Sequence, residues 1–212
     1  MRHAQVRYFQ GVHPEHVVLT PEGRRQAEAA SAELAAVPFD RVVTSGLERT
    51  LETAAIVAPG REPESRYGLR EIESGDIRGL PAEEVQAMMT AAFRGVVPPE
   101  ARFLGGETIG ALVERAAAEI DAIVADADWD VALLVLHGGV NRAILSRALT
   151  GERVFIGGFE QAPGCIDVLD VGPDGEWIVR AVNHIPYDHA HVAAPRLTTM
   201  EQLWEEYLGS RG

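Results

Sequence analysis

The chain has 212 residues, 46% of them hydrophobic, a length that suits one domain able to bury its own core. Nineteen basic residues, every one an arginine, stand against thirty-two acidic ones, and the net charge of −13 argues against a nucleic-acid or anionic-membrane partner. The single cysteine, Cys165, excludes an internal disulfide framework and a cysteine-built zinc site, and no apolar stretch is long enough to span a bilayer.

The chain begins Met1-Arg2-His3-Ala4, an arginine–histidine pair with a single residue before it. Thr20 to Ala36 is predicted as a helix: Thr20 can cap the first turn, Pro21 suits its first position, and Ala27, Ala30 and Leu34 form an apolar stripe. Phe39 to Ser45 reads as a short strand, and Leu47 to Val57 as a second helix ended by Pro59-Gly60. A helix from Leu80 to Phe93 lies in a stretch of irregular composition, residues 80–104, read as an insertion that covers a site.

Gly105-Gly106-Glu107-Thr108 is expected to open a long amphipathic helix reaching Asp126. Val131 to Leu136 is a continuous apolar run, the pattern of a strand buried on both faces. His137-Gly138-Gly139 follows directly, then a helix from Val140 to Leu149. Cys165 to Val171 and Trp177 to Val182 flank the turn Gly172-Pro173-Asp174-Gly175, and Thr198 to Leu208 is a final helix. Alternating strands and helices in this order predict an α/β domain with a mostly parallel sheet, whose ligands bind beyond the carboxyl ends of the strands. Arg49 and His137 both fall there.

Taken singly, the polar candidates have ordinary explanations. Arg49 reads as a surface arginine pairing with Glu48 or Glu52, Glu71 as part of a solvated face, and His137-Gly138-Gly139 as a strand-to-helix turn whose free amides can also receive an anion. Their order says more. The chain carries Arg2-His3-Ala4, then Leu19-Thr20-Pro21-Glu22-Gly23-Arg24-Arg25-Gln26-Ala27, then Ser45-Gly46-Leu47-Glu48-Arg49 running to Thr53. After these come Leu69-Arg70-Glu71 running to Gly75, Gly105-Gly106-Glu107-Thr108, and Leu136-His137-Gly138-Gly139-Val140. This succession resembles the histidine phosphatase superfamily, also called the phosphoglycerate mutase-like family, over roughly residues 1–150.

The resemblance implies a three-layer α/β/α sandwich and a single domain over 1–212. It also implies a cytoplasmic, metal-independent phosphomonoester hydrolase without a cofactor, acting on a small phosphorylated metabolite, with a homodimer as one assembly open to it. His3 would be the nucleophile that takes up the phosphoryl group. Arg2, Arg49, Gly138 and His137 would hold the phosphate, His137 as a cationic or donor group. Glu71 would give the leaving alcohol its proton and later activate water.

Some positions depart from the family pattern. Ala4 stands for a glycine, and Val6 and Phe9 stand where a hydroxyl residue and an asparagine often touch the phosphate. The block that marks phosphoglycerate mutases is absent, which favours a phosphatase over a mutase. A phosphoglycerate mutase-type transferase and a non-catalytic phospho-ligand binder are the alternatives. A further rival is a metal hydrolase built on His184, Asp188, His189 and His191, weighed against a plain polar loop, the reading preferred. With Met1 alone before the Arg-His pair, the first strand is expected to be truncated, leaving ladder groups unpaired on its neighbours.

Overall fold

The computed structural model describes residues 1–126, 128–192 and 197–211. In chain order it runs α1 (Pro21–Leu34), β1 (Arg41–Thr44), α2 (Glu48–Val57), β2 (Glu64–Ser65), α3 (Ala82–Ala91), α4 (Ile109–Val124), β3 (Ala132–Val135), α5 (Gly138–Thr150), β4 (Ile166–Val171), β5 (Trp177–His184) and α6 (Thr199–Gly209). The predicted elements are present, with shifts at their ends that have local causes. The Thr20 hydroxyl accepts from the Gly23 amide and Pro21 opens α1 as expected. The long helix starts later than predicted, because Gly105 and Gly106 belong to a 3-10 turn containing Leu104 at φ 48°; Thr108 is the cap, accepting from the Ala111 amide. The last helix carries a reciprocal capping box between Thr198 and Glu201.

The sheet order is β2-β1-β3, all parallel. Beyond β3 the first residues of the chain continue it: Arg2 bridges Leu136 in parallel, the His3 amide donates to the Leu136 carbonyl, and the Arg2 amide donates to Cys165 at the head of the antiparallel β4–β5 hairpin. Met1–His3 thus run parallel beside the end of β3. The Met1 ammonium donates to the Leu134 carbonyl at 2.8 Å. Among the described residues β3 and β4 do not pair with each other, and both line a cavity of about 370 Å³ together with Met1, Ile144 and Trp177.

Side-chain alternation along the strands sorts the core into two layers. Val42, Leu133 and Val135 pack with Ala27, Ala30, Ala54 and Val57 of α1 and α2. Val43 and Leu136 pack on the other side, with Leu112, Ile120 and Ile123 of α4, Val140 of α5, and the α3 and α6 residues Met89 and Trp204. Helices on both faces of a parallel sheet make the predicted three-layer arrangement. One expectation is corrected: β3 is not buried throughout, because Ala132 and Leu134 are only partly covered where they border the cavity beside Met1.

Candidate active site

The residues singled out in the sequence come from four separate places and meet beyond the carboxyl ends of β1, β3 and Met1–His3. A cavity of about 420 Å³ opens there, lined by Arg2, Tyr8, Arg49, Glu71, Gly138, Gly139 and Arg142 among others. His3 and His137 lie beneath its floor, 1% and 0% exposed, with ring centroids 5.3 Å apart in an edge-on arrangement. Ala4 is fully buried and its amide donates to Thr53 Oγ1 at 3.1 Å, so the turn survives without the glycine.

The tautomer of His3 follows from its partners. Nδ1 lies 2.8 Å from the Ala4 carbonyl oxygen, which can only accept, so Nδ1 carries the proton. Nε2 is therefore the basic nitrogen, and it accepts from the Tyr8 hydroxyl at 3.2 Å. Burial, reinforced by the Arg49 and Arg2 guanidinium groups, pushes the His3 pKa well below the usual histidine range. His137 is lowered in the same way, by burial first and then by Arg49, His3 and Arg2. In the absence of a bound anion, burial and the neighbouring guanidinium groups thus disfavour the charged form of both rings.

The arginines are held by one end only. Arg2 Nη1 donates to the Gln161 carbonyl at 2.5 Å and Arg49 Nη1 to the Pro14 carbonyl at 2.8 Å. Arg49 is 3% exposed, not a surface residue pairing with its helix neighbours; Glu48 and Glu52 pair instead with His16 and Arg24. Ser45 at the end of β1 places its hydroxyl 2.7 Å from His137 Nε2. Among the described residues, the buried side-chain nitrogens left without a partner are Arg2 Nε, Arg49 Nε and His137 Nδ1. A buried polar group without a partner costs roughly 1–3 kcal/mol, more when charged, so Arg2 and Arg49 at the cavity and His137 beneath it have hydrogen-bonding capacity that a bound anion can use.

Glu71 is not on a solvated face. Its carboxylate accepts from the Gly139 amide at 3.0 Å and 3.2 Å and from its own neighbour Ile72 at 3.0 Å, so it sits on the first turn of α5. Gly139 is needed for that contact, since a Cβ there would lie 2.6 Å from Glu71 Oε1. The segment is braced from behind. Arg115 donates to the carbonyls of Gly68, Arg70 and Glu71 and pairs with Glu107, whose other contact is the Glu73 amide. Burial works against the charge on Glu107, but its bonds to Arg115 and the Glu73 amide outweigh that and hold its pKa below the usual carboxylate range.

Sequence reasoning did not anticipate two of the lining residues. Tyr8 carries no motif signal. Arg142 is 3% exposed, donates to Gly138 and Gly157, pairs with Glu160 at 3.9 Å and lies 4.9 Å from the Phe93 ring centroid. Its place one turn after Gly138 was the available clue. His184 and His189 meet Glu33 of α1, with ligand atoms within 4.8 Å of one another. That cluster and His191 stand apart from the residues that line the cavity.

Comparisons with known proteins agree with this geometry. Residues 1–184 match the model of the histidine phosphatase superfamily (branch 1). A probable 2-carboxy-D-arabinitol-1-phosphatase of Arabidopsis thaliana is 32% identical over 160 residues, 74% of this chain and 33% of that protein. An adenosylcobalamin/alpha-ribazole phosphatase of Salmonella typhimurium is 30% identical over 162 residues, 72% of this chain and 78% of that one. The chain thus spans about a third of the first relative and most of the second. Among solved structures, a mycobacterial glucosyl-3-phosphoglycerate phosphatase superposes with a TM-score of 0.71 at 24% identity, over 86% of this chain and 96% of that one. A putative alpha-ribazole-5'-P phosphatase of Escherichia coli gives 0.68 at 22%, over 86% and 94%.

Proposed function

The chain belongs to the histidine phosphatase superfamily (branch 1), and from that premise we propose that it is a metal-independent hydrolase of small phosphomonoesters that works through a phosphohistidine on His3. The observation that carries the reading is the set of unpartnered buried nitrogens, Arg2 Nε, Arg49 Nε and His137 Nδ1, two of them guanidinium donors. They surround a histidine whose tautomer leaves Nε2 as the nucleophile. The phosphatase names of the relatives point the same way.

In the proposed reaction the Nε2 lone pair of His3 forms the bond to phosphorus, aided by burial and the Arg49 and Arg2 guanidinium groups, which disfavour the protonated ring. Arg2, Arg49 and the Gly138 region hold the phosphoryl oxygens as negative charge spreads over them. Ser45 Oγ, 2.7 Å from His137 Nε2, holds the ring so that Nδ1 is its nitrogen without a partner, open to the bound phosphate. Glu71, a carboxylate on the Gly139 amide until it takes a proton from the bound phosphomonoester monoanion, gives that proton to the departing alcohol oxygen as the phosphorus–oxygen bond breaks. As carboxylate it then takes a proton from the water that cleaves the phosphohistidine. Residues 80–104 contribute Phe93, Phe103 and Leu104 to the cavity wall, in keeping with an insertion that covers the site. The cytoplasm is the compartment we assign, supported by the free, buried thiol of Cys165.

The test is an alkaline-quench experiment on a labelled phosphomonoester in the presence of EDTA, with the acid lability of the trapped label then measured. Wild type is expected to retain acid-labile, alkali-stable phosphate and to turn over, and His3→Ala to do neither. Turnover that survives in His3→Ala, or that EDTA abolishes in wild type, would overturn the proposal.

A further inference from the structure

Building on that phosphohistidine reading, we propose that Tyr8 is a catalytic residue: its hydroxyl caps the nucleophile in the free enzyme and becomes a hydrogen-bond donor to the phosphoryl group once substrate is bound. The starting point is the loop after the Arg2-His3 pair. Val6 is 7% exposed, bridges Leu19 and packs in the core layer of α1 and α2. Phe9 packs edge-on against the Tyr207 ring at 5.2 Å. Neither offers a polar atom to a phosphate. The hydroxyl that this loop does bring to the site is that of Tyr8, 3.2 Å from His3 Nε2.

The loop backbone is fixed at this point from the far end of the chain. Glu206 of α6 accepts from the amides of Tyr8 and Phe9 at 2.6 Å and 3.2 Å. The Arg49 guanidinium carbon lies 5.6 Å from the centroid of the Tyr8 ring, within cation–π range. The side chain is therefore held between the attacking nitrogen and one of the phosphate-binding arginines, while His3 itself is 1% exposed. An attacked phosphorus atom must come to roughly 3–3.5 Å from Nε2, which is the place the hydroxyl now fills. Substrate entry must turn the Tyr8 side chain aside. A hydroxyl released from Nε2 but still anchored beside Arg49 reaches the equatorial phosphoryl oxygens.

Atoms balance without proton loss from Tyr8. Nε2 gains the bond to phosphorus, the ester oxygen leaves with its electron pair and takes the Glu71 proton, and the Tyr8 O–H bond stays intact as it moves from a nitrogen lone pair to an oxyanion. The hydroxyl is worth most when the oxygens carry most charge, in the pentacoordinate arrangement.

Tyr8→Phe tests this, since it keeps the ring and its contact with Arg49. Wild type and variant are compared by rapid alkaline quench for phosphoenzyme formation, by binding of orthovanadate and of inorganic phosphate, and by thermal melting. The expected result is a fall of roughly 10- to 100-fold in the rate of phosphoenzyme formation, a larger loss of affinity for vanadate than for phosphate, and an unchanged melting point. Unchanged or faster phosphoenzyme formation in Tyr8→Phe would overturn the proposal and leave the hydroxyl as a mere plug on Nε2. Equal losses for the two anions would overturn it as well. Failure of the phosphohistidine reading itself looks different, because wild type would then form no acid-labile phosphoenzyme at all.

Discussion

Gly139→Ala separates the chemistry of Glu71 from its contribution to the fold. A Cβ at position 139 would lie 2.6 Å from Glu71 Oε1 and 3.5 Å from Ile72 Cγ2, so the carboxylate must give way while the core beneath it need not. The displaced group loses its bonds from the Gly139 amide, worth roughly 1.5–3 kcal/mol for a charged acceptor. It also loses about 0.3–1 kcal/mol from its place at the amino end of α5. Alanine returns about 0.5–1 kcal/mol in helix preference, and the carboxylate regains water, so the net stability change is expected to stay near 1–2 kcal/mol. Activity should suffer more. A misplaced general acid costs on the order of 10²–10⁴ in rate, and only where the leaving oxygen needs a proton. The assay is therefore a pair of substrates, p-nitrophenyl phosphate, with a good leaving group, and an alkyl phosphate, with a poor one. Gly139→Ala should lose about a hundredfold or more on the alkyl ester and only a few-fold on the aryl ester. Equal losses on both, with the fold intact by melting, would refute Glu71 as the proton donor.

Two further outcomes follow from the same site. His3 and His137 have pKa values below that of an unfolded histidine, so the unfolded chain binds more protons once the pH drops below about 6.5. Stability is full above that pH and falls as the pH is lowered, by up to about 1.4 kcal/mol per unit for each ring; melting followed from pH 7.5 to 5.5 should show a shallower decline in His3→Gln, and an identical decline would sink the argument. Part of the cavity wall is apolar, with Phe9, Ile77, Phe93, Leu104, Met200 and Leu203, so 2-phenylethyl phosphate should exceed glycerol phosphate in kcat/KM by about tenfold or more despite similar leaving groups. Phe93→Ala should narrow that ratio, and a ratio near one in wild type would refute it.

What the sequence made legible was whatever depends on neighbours along the chain or on strand ends. Thr20 and Pro21 define the start of α1 because capping is local. Arg2, Arg49 and His137 could be grouped before any coordinates because parallel strands deliver the residues beyond their carboxyl ends to one edge. Glu71 had no such geometric rule and was placed only through the family resemblance; its seat on Gly139 gives that motif a physical reason, because a strand-to-helix turn with two glycines binds an anion that the chain itself supplies. The protonation of His137 could not be read from residue type, since it follows from complete burial beside Arg49. Tyr8 lay further out of reach. Its approach to His3 depends on a backbone pinned by Glu206, 198 positions away in the chain, and on a ring long enough to bring a hydroxyl back to Nε2 from a loop whose Val6 and Phe9 have turned to packing. Where a motif position turns apolar, the lost polar atom is therefore best sought among long side chains on the same loop, since the phosphate's demand for donors is fixed and the residue that meets it is not.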